Sequence, residues 1–140
     1  MKISTKGRYA LRIMIDLALH CEQGPVRVKE IASRQGISEK YLEQIISLFN
    51  KAGYVKSIRG AQGGYLLTKA PAEYTAGMIL RLAEGSIAPV ACVDESAEQC
   101  EKKGVCVSAM LWEKMNVAVN QVVDHTTLQD LVDWQQNIVG

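Results

Sequence analysis

The stretch Val28-Lys29-Glu30-Ile31-Ala32-Ser33-Arg34-Gln35-Gly36-Ile37-Ser38-Glu39-Lys40-Tyr41-Leu42-Glu43-Gln44-Ile45 decides the fold. Its first eight residues read as a short amphipathic helix. Gly36 follows, and glycine enters the left-handed conformation that ends a helix without steric cost. Ser38 can cap a second helix with its hydroxyl. Beyond it, Leu42, Ile45, Ile46 and Phe49 recur at three- and four-residue spacing and form one buried stripe. That leaves Glu39, Lys40, Tyr41, Glu43 and Gln44 largely on the exposed side of the first turns. Hydrogen-bonding side chains in that place suit the second helix of a helix-turn-helix, where base edges and phosphates are met. A helical hairpin with a solvated polar face would share the pattern.

Working outward, Gly53 closes the second helix. Tyr54 to Arg59 and Gly64 to Thr68 then read as two short strands around Gly60-Ala61-Gln62-Gly63. A β-hairpin directly after a helix-turn-helix is a winged-helix pattern. The fold class is therefore mainly α with a small β-wing, followed by a long dimerisation helix. The expected DNA-reading residues are Ser38, Glu39, Lys40, Tyr41, Glu43 and Gln44 on the helix, with Arg59 and Gly60 at the wing. Glu43 can accept from a cytosine amino group and Gln44 can pair with adenine. Arg59 suits a narrow, electronegative minor groove.

Charge supports a polyanion partner for this half. Residues 1–70 hold 12 Lys+Arg and 5 Asp+Glu, whereas residues 71–140 hold 4 and 10. The net charge of +1 thus conceals a basic front and an acidic back. Split charge could also serve solubility alone. Upstream, Thr5 to Cys21 reads as a first helix whose polar face is Arg8, Arg12, Asp16 and His20 at four-residue steps, with almost everything else apolar. Such a helix is buried over most of its circumference. Lys2, Lys6 and Arg8 near its start can reach phosphates.

After the wing, Thr75 can cap a helix over 76–84 that Gly85 ends, with Met78, Ile79 and Leu82 facing the core. Then comes Cys92-x7-Cys100-x5-Cys106, three of the four cysteines, in a mostly polar stretch. Three thiols in a solvated loop point to a metal or iron–sulfur site, a redox disulfide, or chance. The short-spaced cysteine pairs usual in a zinc knuckle are absent, and thiolates hold iron–sulfur clusters. From Val107 to about Asp124 a long helix carries a stripe of Leu111, Met115, Ala118, Val119 and Val122, widened by Met110, Val117 and Val123. Pairing with the same helix of a second chain would bury it. Docking back on its own chain is the other solution. Thr127-Leu128-Gln129-Asp130 has capping-box character and opens a short last helix through Leu131, Val132 and Trp134. The expected division is 1–70 winged-helix DNA-binding domain, 71–91 linking helix, 92–106 cysteine loop, and 107–140 dimerisation helix with a short C-terminal helix.

These features resemble the IscR-type iron–sulfur transcription regulators of the Rrf-two superfamily, over almost the whole chain. The specific parts are Ser4-Thr5-Lys6-Gly7-Arg8-Tyr9-Ala10, the run from Gly36 to Gln44, the wing with Arg59-Gly60 and Gly63-Gly64-Tyr65-Leu66-Leu67, and the cysteine loop followed by Leu111-Trp112. The resemblance implies a dimeric winged-helix regulator, long helices swapped across the dimer, and iron–sulfur assembly genes as targets. It also implies a [2Fe-2S] cluster, with Cys92, Cys100 and Cys106 as the matching thiolates. The chain departs from the family in two places. The first cysteine spacing is longer, and the family's histidine ligand falls at Ala109, which cannot bind metal. In nitric-oxide-sensing relatives an acidic residue near position 8 of the partner serves instead, and here that position is Arg8. His20, Cys21, His125 or a carboxylate remain for the fourth ligand, none marked by a motif. Relatives without a cluster regulate cysteine metabolism and lack the three-cysteine loop.

The sequence is therefore read as a homodimeric regulator binding a palindromic duplex and sensing iron–sulfur or redox status. The alternative is a cluster-free thiol-redox or cysteine-metabolism repressor. An iron–sulfur electron carrier would need no basic helix face, and a protein-interaction module would need neither basic wing nor Arg59. No nucleophile–base arrangement, phosphate loop or zinc-protease motif suggests an enzyme. No apolar run spans a bilayer and no signal peptide opens the chain, so the cytoplasm is the expected location.

Overall fold

The computed structural model describes residues 2–94 and 106–139. Its helices are α1 (Thr5–His20), α2 (Val28–Gln35), α3 (Glu39–Lys51), α4 (Ala76–Glu84), α5 (Val107–Asp124) and α6 (Leu128–Val139). One antiparallel hairpin, β1 (Val55–Ile58) and β2 (Gly64–Leu67), lies between α3 and α4, with Val55 opposite Leu67 and Ile58 opposite Gly64. The described residues are thus mostly helical with a two-stranded wing, the architecture expected.

Local chemistry sets the boundaries. Ser4 caps α1, its hydroxyl accepting from the Gly7 amide at 3.2 Å. Gly36 ends α2 in the left-handed region at φ 66°, and Ser38 caps α3 by accepting from the Tyr41 amide at 3.1 Å. Thr75 caps α4. Thr127 and Asp130 form the anticipated reciprocal box, Thr127 N to Asp130 Oδ2 at 2.9 Å and Asp130 N to Thr127 Oγ1 at 3.0 Å. Two lengths differ from expectation. Helix α1 stops at His20, and Cys21–Gln23 forms a 3-10 turn. Helix α6 runs for 12 residues, to Val139, beyond the short helix through Trp134 that the sequence suggests. It keeps Leu128 and Val132 buried while Trp134 stays exposed.

The core sits where α1 meets α3, α4 and α6. Ile13, Met14 and Leu17 of α1 join Leu42, Ile45, Ile46 and Phe49 of α3, Ile79 of α4 and Leu128 of α6, all essentially inaccessible. Within α4, Ile79 and Leu80 are buried, whereas Met78 and Leu82 are only partly covered. Tyr74 is fully buried and ties the hairpin base to this core. Its hydroxyl donates to the Tyr54 carbonyl at 2.6 Å and accepts from the Thr68 and Lys69 amides, each at 3.1 Å.

One expectation is corrected outright. Asp16 does not lie on a solvated face of α1. It is 1% exposed and accepts from Arg34 Nε at 2.9 Å, Arg34 Nη2 at 2.7 Å and Gln35 Nε2 at 2.9 Å. Four-residue steps drift about 40° each on a 3.6-residue helix, so the row from Arg8 to His20 slides around the cylinder. Its third member passes beneath α2. Hydrogen bonding to Asp16 holds the Arg34 guanidinium above its ordinary pKa, against the opposing pull of burial.

Candidate nucleic-acid interface

Burial of the α3 stripe decides what the helix shows. Leu42, Ile45, Ile46 and Phe49 face inward, and Ser38, Glu39, Lys40, Glu43 and Gln44 are exposed. Tyr41 is the exception among the residues expected to read DNA. It is half-buried, because its ring meets that of Tyr9 on α1. The α3 surface therefore offers one cation, two carboxylates, an amide and a hydroxyl over two turns, on a helix whose start is fixed by a cap.

The wing is held more firmly than a free hairpin. Val26, just before α2, pairs with Tyr65 of β2 through two backbone bonds of 2.9 and 2.8 Å. Gly64 makes this possible, since a Cβ there would stand 2.5 Å from the Val26 carbonyl oxygen. At the tip, the Arg27 guanidinium donates to the Ala61 carbonyl. The entrance to α2 thus braces both the stem and the tip of the wing. Arg59 and Gly60 are exposed beside that tip, Gly60 at φ 108°. An isolated two-stranded hairpin is marginal in water, so this bracing is what gives Arg59 a defined position. Arg27 carries no local sequence signal for the role, because its partner lies 34 residues away.

The cysteines are only partly in view. Cys92 sits in a 3-10 turn, Ala91–Val93, and Cys106 precedes α5. Both are half-buried thiols outside any disulfide, as is Cys21. The turn leans on α5, where the Asn116 amide donates to the Val93 carbonyl at 3.2 Å. Cys100 lies outside the described residues. Among the described residues no three His, Cys, Asp or Glu side chains come together as a metal site. His20 and His125, offered as fourth ligands, are turned to their own helices, each with Nδ1 on the carbonyl four residues back, Asp16 and Gln121. Ala109 is 5% exposed.

Helix α5 is the least covered element. Of its residues only Ala109 is buried, while Val107, Met110, Leu111, Val117 and Val122 are each more than half exposed. Its C-terminal end is fastened to α4 by Arg81, which donates to Asp124 at 2.6 and 3.1 Å and to Asn120 at 2.8 Å.

The model of the Rrf2 family, described as an iron-dependent transcriptional regulator, matches residues 3–134. The chain belongs to the Rrf2 family. It is 48% identical to the HTH-type transcriptional regulator CymR of Bacillus subtilis (strain 168) over 96% of its length and 91% of that protein. It is 38% identical to the regulator IscR of Pectobacterium carotovorum over 95% of its length and 80% of that protein. Among solved structures, CymR, the global cysteine regulator of B. subtilis, superposes with a TM-score of 0.81, covering 96% of this chain and 98% of that one. T. potens IscR superposes at 0.78 with 43% identity, covering 95% and 87%. An Rrf2 protein is a transcription regulator rather than an enzyme, and regulators of this family bind DNA. As in its relatives, the chain is a helical regulator with a winged helix, and among the described residues no helix is long and apolar enough to cross a membrane.

Proposed function

We propose that this Rrf2-family chain is a homodimer that reads a palindromic operator with α3 and the wing, and that its DNA binding answers to an iron–sulfur cluster in the 92–106 loop. The observation that carries the DNA reading is the pairing of a capped, one-sided α3 with a wing braced at both stem and tip. Ser38, Glu39, Lys40, Tyr41, Glu43 and Gln44 then serve the major groove, and Arg59 with Gly60 the minor groove. In this reading residues 1–70 form the DNA-binding head, 71–91 the link, 92–106 the cluster loop and 107–140 the dimerising part. The apolar side of α5, where Val107, Met110, Leu111, Val117 and Val122 are each more than half exposed, supports a second copy as its cover.

The donor chemistry around the loop fits an iron–sulfur cluster in part. Cys92 and Cys106 supply two half-buried thiols outside any disulfide, and Cys100 would be the third. A bound cluster supplies one-electron redox and ligand-exchange chemistry. Position 109 supplies a buried methyl group instead of an imidazole, so a fourth ligand has to come from elsewhere. The chain's own contribution is to set the loop against α5 through Asn116 and to fasten α5 to α4 through Arg81. A change in the loop then reaches the angle between DNA heads and dimer helices.

A second reading is a cluster-free regulator of cysteine metabolism. It is favoured by the 48% identity to B. subtilis CymR and by Ala109. Anaerobic purification with iron and sulfide analysis separates the two. Stoichiometric iron and sulfide, lost on replacing Cys92, Cys100 or Cys106 with Ala but kept in Cys21→Ala, supports the cluster. Anaerobically reconstituted protein that holds neither iron nor sulfide overturns it.

A further inference from the structure

The angle between the two helices of the helix-turn-helix rests on a three-residue turn, Gly36 to Ser38. Two side chains of α1, three residues apart, hold this turn from both sides. On the α3 side, the Tyr9 and Tyr41 rings meet edge to face, centroids 5.9 Å apart and planes at 86°. On the α2 side, Arg12 Nε donates to Gln35 Oε1 at 3.0 Å and Arg12 Nη2 to the Gln35 carbonyl at 2.9 Å. The two grips are joined, because the Arg12 guanidinium lies over the Tyr9 ring at 5.0 Å from its centroid. They are also anchored, since Gln35 Nε2 donates to the buried Asp16 carboxylate at 2.9 Å. A continuous series of contacts thus runs from the first turn of α3, through Tyr9 and Arg12, to the last residue of α2 and the core.

We infer that Tyr9 and Arg12 are positioning residues that fix the tilt of α3 against α2 and so set operator selectivity. This rests on the reading of α3 as the DNA-reading helix. Both contacts are of modest strength singly, an edge-to-face ring pair and an arginine over a ring. Arg12 is exposed, and Tyr9 is half-buried at the margin of the core, packed against it rather than enclosed in it. Their effect is therefore on geometry more than on folding, and a tilt error at the start of α3 displaces Glu43 and Gln44 together. Arg12 could alternatively be an ordinary phosphate contact, and salt dependence distinguishes the two roles. A lost phosphate contact lowers the log–log salt slope by about 0.9, whereas a lost brace leaves it unchanged.

The test measures binding to a duplex that wild-type protein selects from a random-sequence pool, against poly(dI-dC), over a series of salt concentrations. Tyr9→Leu and Arg12→Met are each expected to reduce the selectivity ratio by about fivefold to tenfold, the scale of a lost aromatic or cation–π contact. Non-specific affinity and the salt slope should stay as in wild type. Tyr9→Phe, which keeps the ring, should stay within about twofold of wild type in the same ratio. The Tyr9→Leu effect should shrink in a Tyr41→Leu background, because the two rings act as one pair. If Tyr9→Leu fails to fold, Arg12→Met, a surface change, decides the matter. Unchanged selectivity in the folded variants, or a salt slope lowered by about 0.9 in Arg12→Met, overturns the inference while leaving DNA reading by α3 intact. Wild-type protein that selects no duplex overturns the DNA reading itself, and this inference with it.

Discussion

Asp16 shows how one buried carboxylate can order two helices. It takes three hydrogen bonds from the end of α2 and faces the half-buried His20 on its own helix. Asp16→Ala would leave Arg34 and Gln35 without their acceptor and is expected to lower unfolding free energy by about 2–3 kcal/mol, the scale of hydrogen bonds to a charged group. Denaturant titration checks this. The pair adds little pH dependence of its own from the arginine side. Arg34 has a raised pKa, so its stabilisation is fully present below the unfolded value and is lost only as pH rises through the folded one. Both lie above the range in which the protein would be handled, so the Arg34 guanidinium adds no slope of its own to the stability curve across neutral pH. Gly64 makes a second residue-level case. A methyl group there meets Val26 backbone atoms at 2.5 to 2.9 Å, which cannot move without breaking the bridge to Tyr65. Gly64→Ala should weaken operator binding more than it weakens the fold, because it frees the wing while the α1–α3–α4 core stays whole. Equal losses in both measurements would argue against the wing as a separately positioned reader.

At the scale of elements, caps and joints carry the argument. Ser38→Ala removes the acceptor for the Tyr41 amide and is expected to cost about 1 kcal/mol, read from thermal unfolding. Arg81 joins α4 to α5 by a half-exposed ion pair. Such pairs contribute about 1 kcal/mol or less to stability. Arg81→Met should therefore leave the melting temperature nearly unchanged yet loosen operator binding, with the proposed dimer still seen in sedimentation. The elements themselves were legible in the sequence wherever the deciding chemistry is local. Gly36, Ser38, Thr75 and the Thr127–Asp130 box each act within four residues: Gly36 ends α2, and α3, α4 and α6 begin where Ser38, Thr75 and Thr127 place them. What was not legible is long-range. The turn of Asp16 toward Arg34 spans 18 residues, Arg27 reaches 34 residues to Ala61, and Arg81 reaches 43 to Asp124. Helical periodicity places Tyr41 outward, and only the neighbouring α1 supplies the ring that half-covers it. For the cysteine loop, spacing alone names three thiols, and position 109 shows why the family's ligand pattern does not transfer whole.

For the molecule as a whole, the apolar side of α5 and the unequal charge of the two halves set the behaviour to expect. Placing a carboxylate at the centre of the proposed seam, Met115→Asp, buries an uncompensated charge in each copy of a dimer. Dimer and operator binding should be lost together, with the helical signal of the head retained. A variant that stays dimeric in sedimentation would place the interface elsewhere. A basic front half predicts operator affinity that falls steeply with salt, by about 0.9 in log–log slope for each phosphate met. A flat response from low to moderate salt would be incompatible with a surface that tracks the backbone.

The return of α6 to α1 has a consequence for biosynthesis. The Leu128 amide donates to the Tyr74 carbonyl, the Ala76 amide donates to the Thr126 carbonyl, and Leu128 lies at zero exposure in the core that also seats α3. A ribosome making this chain releases the helix-turn-helix early, yet the last packing surface for α1 emerges only after α5 has been made. A nascent polypeptide therefore carries the residues proposed to read DNA for some time without the core that holds them in register. Premature stop codons before residue 128 should yield chains that are cleared by proteases rather than partial regulators that occupy operators. In a cell carrying both a full-length and such a truncated gene copy, the truncated product should not interfere with the intact one.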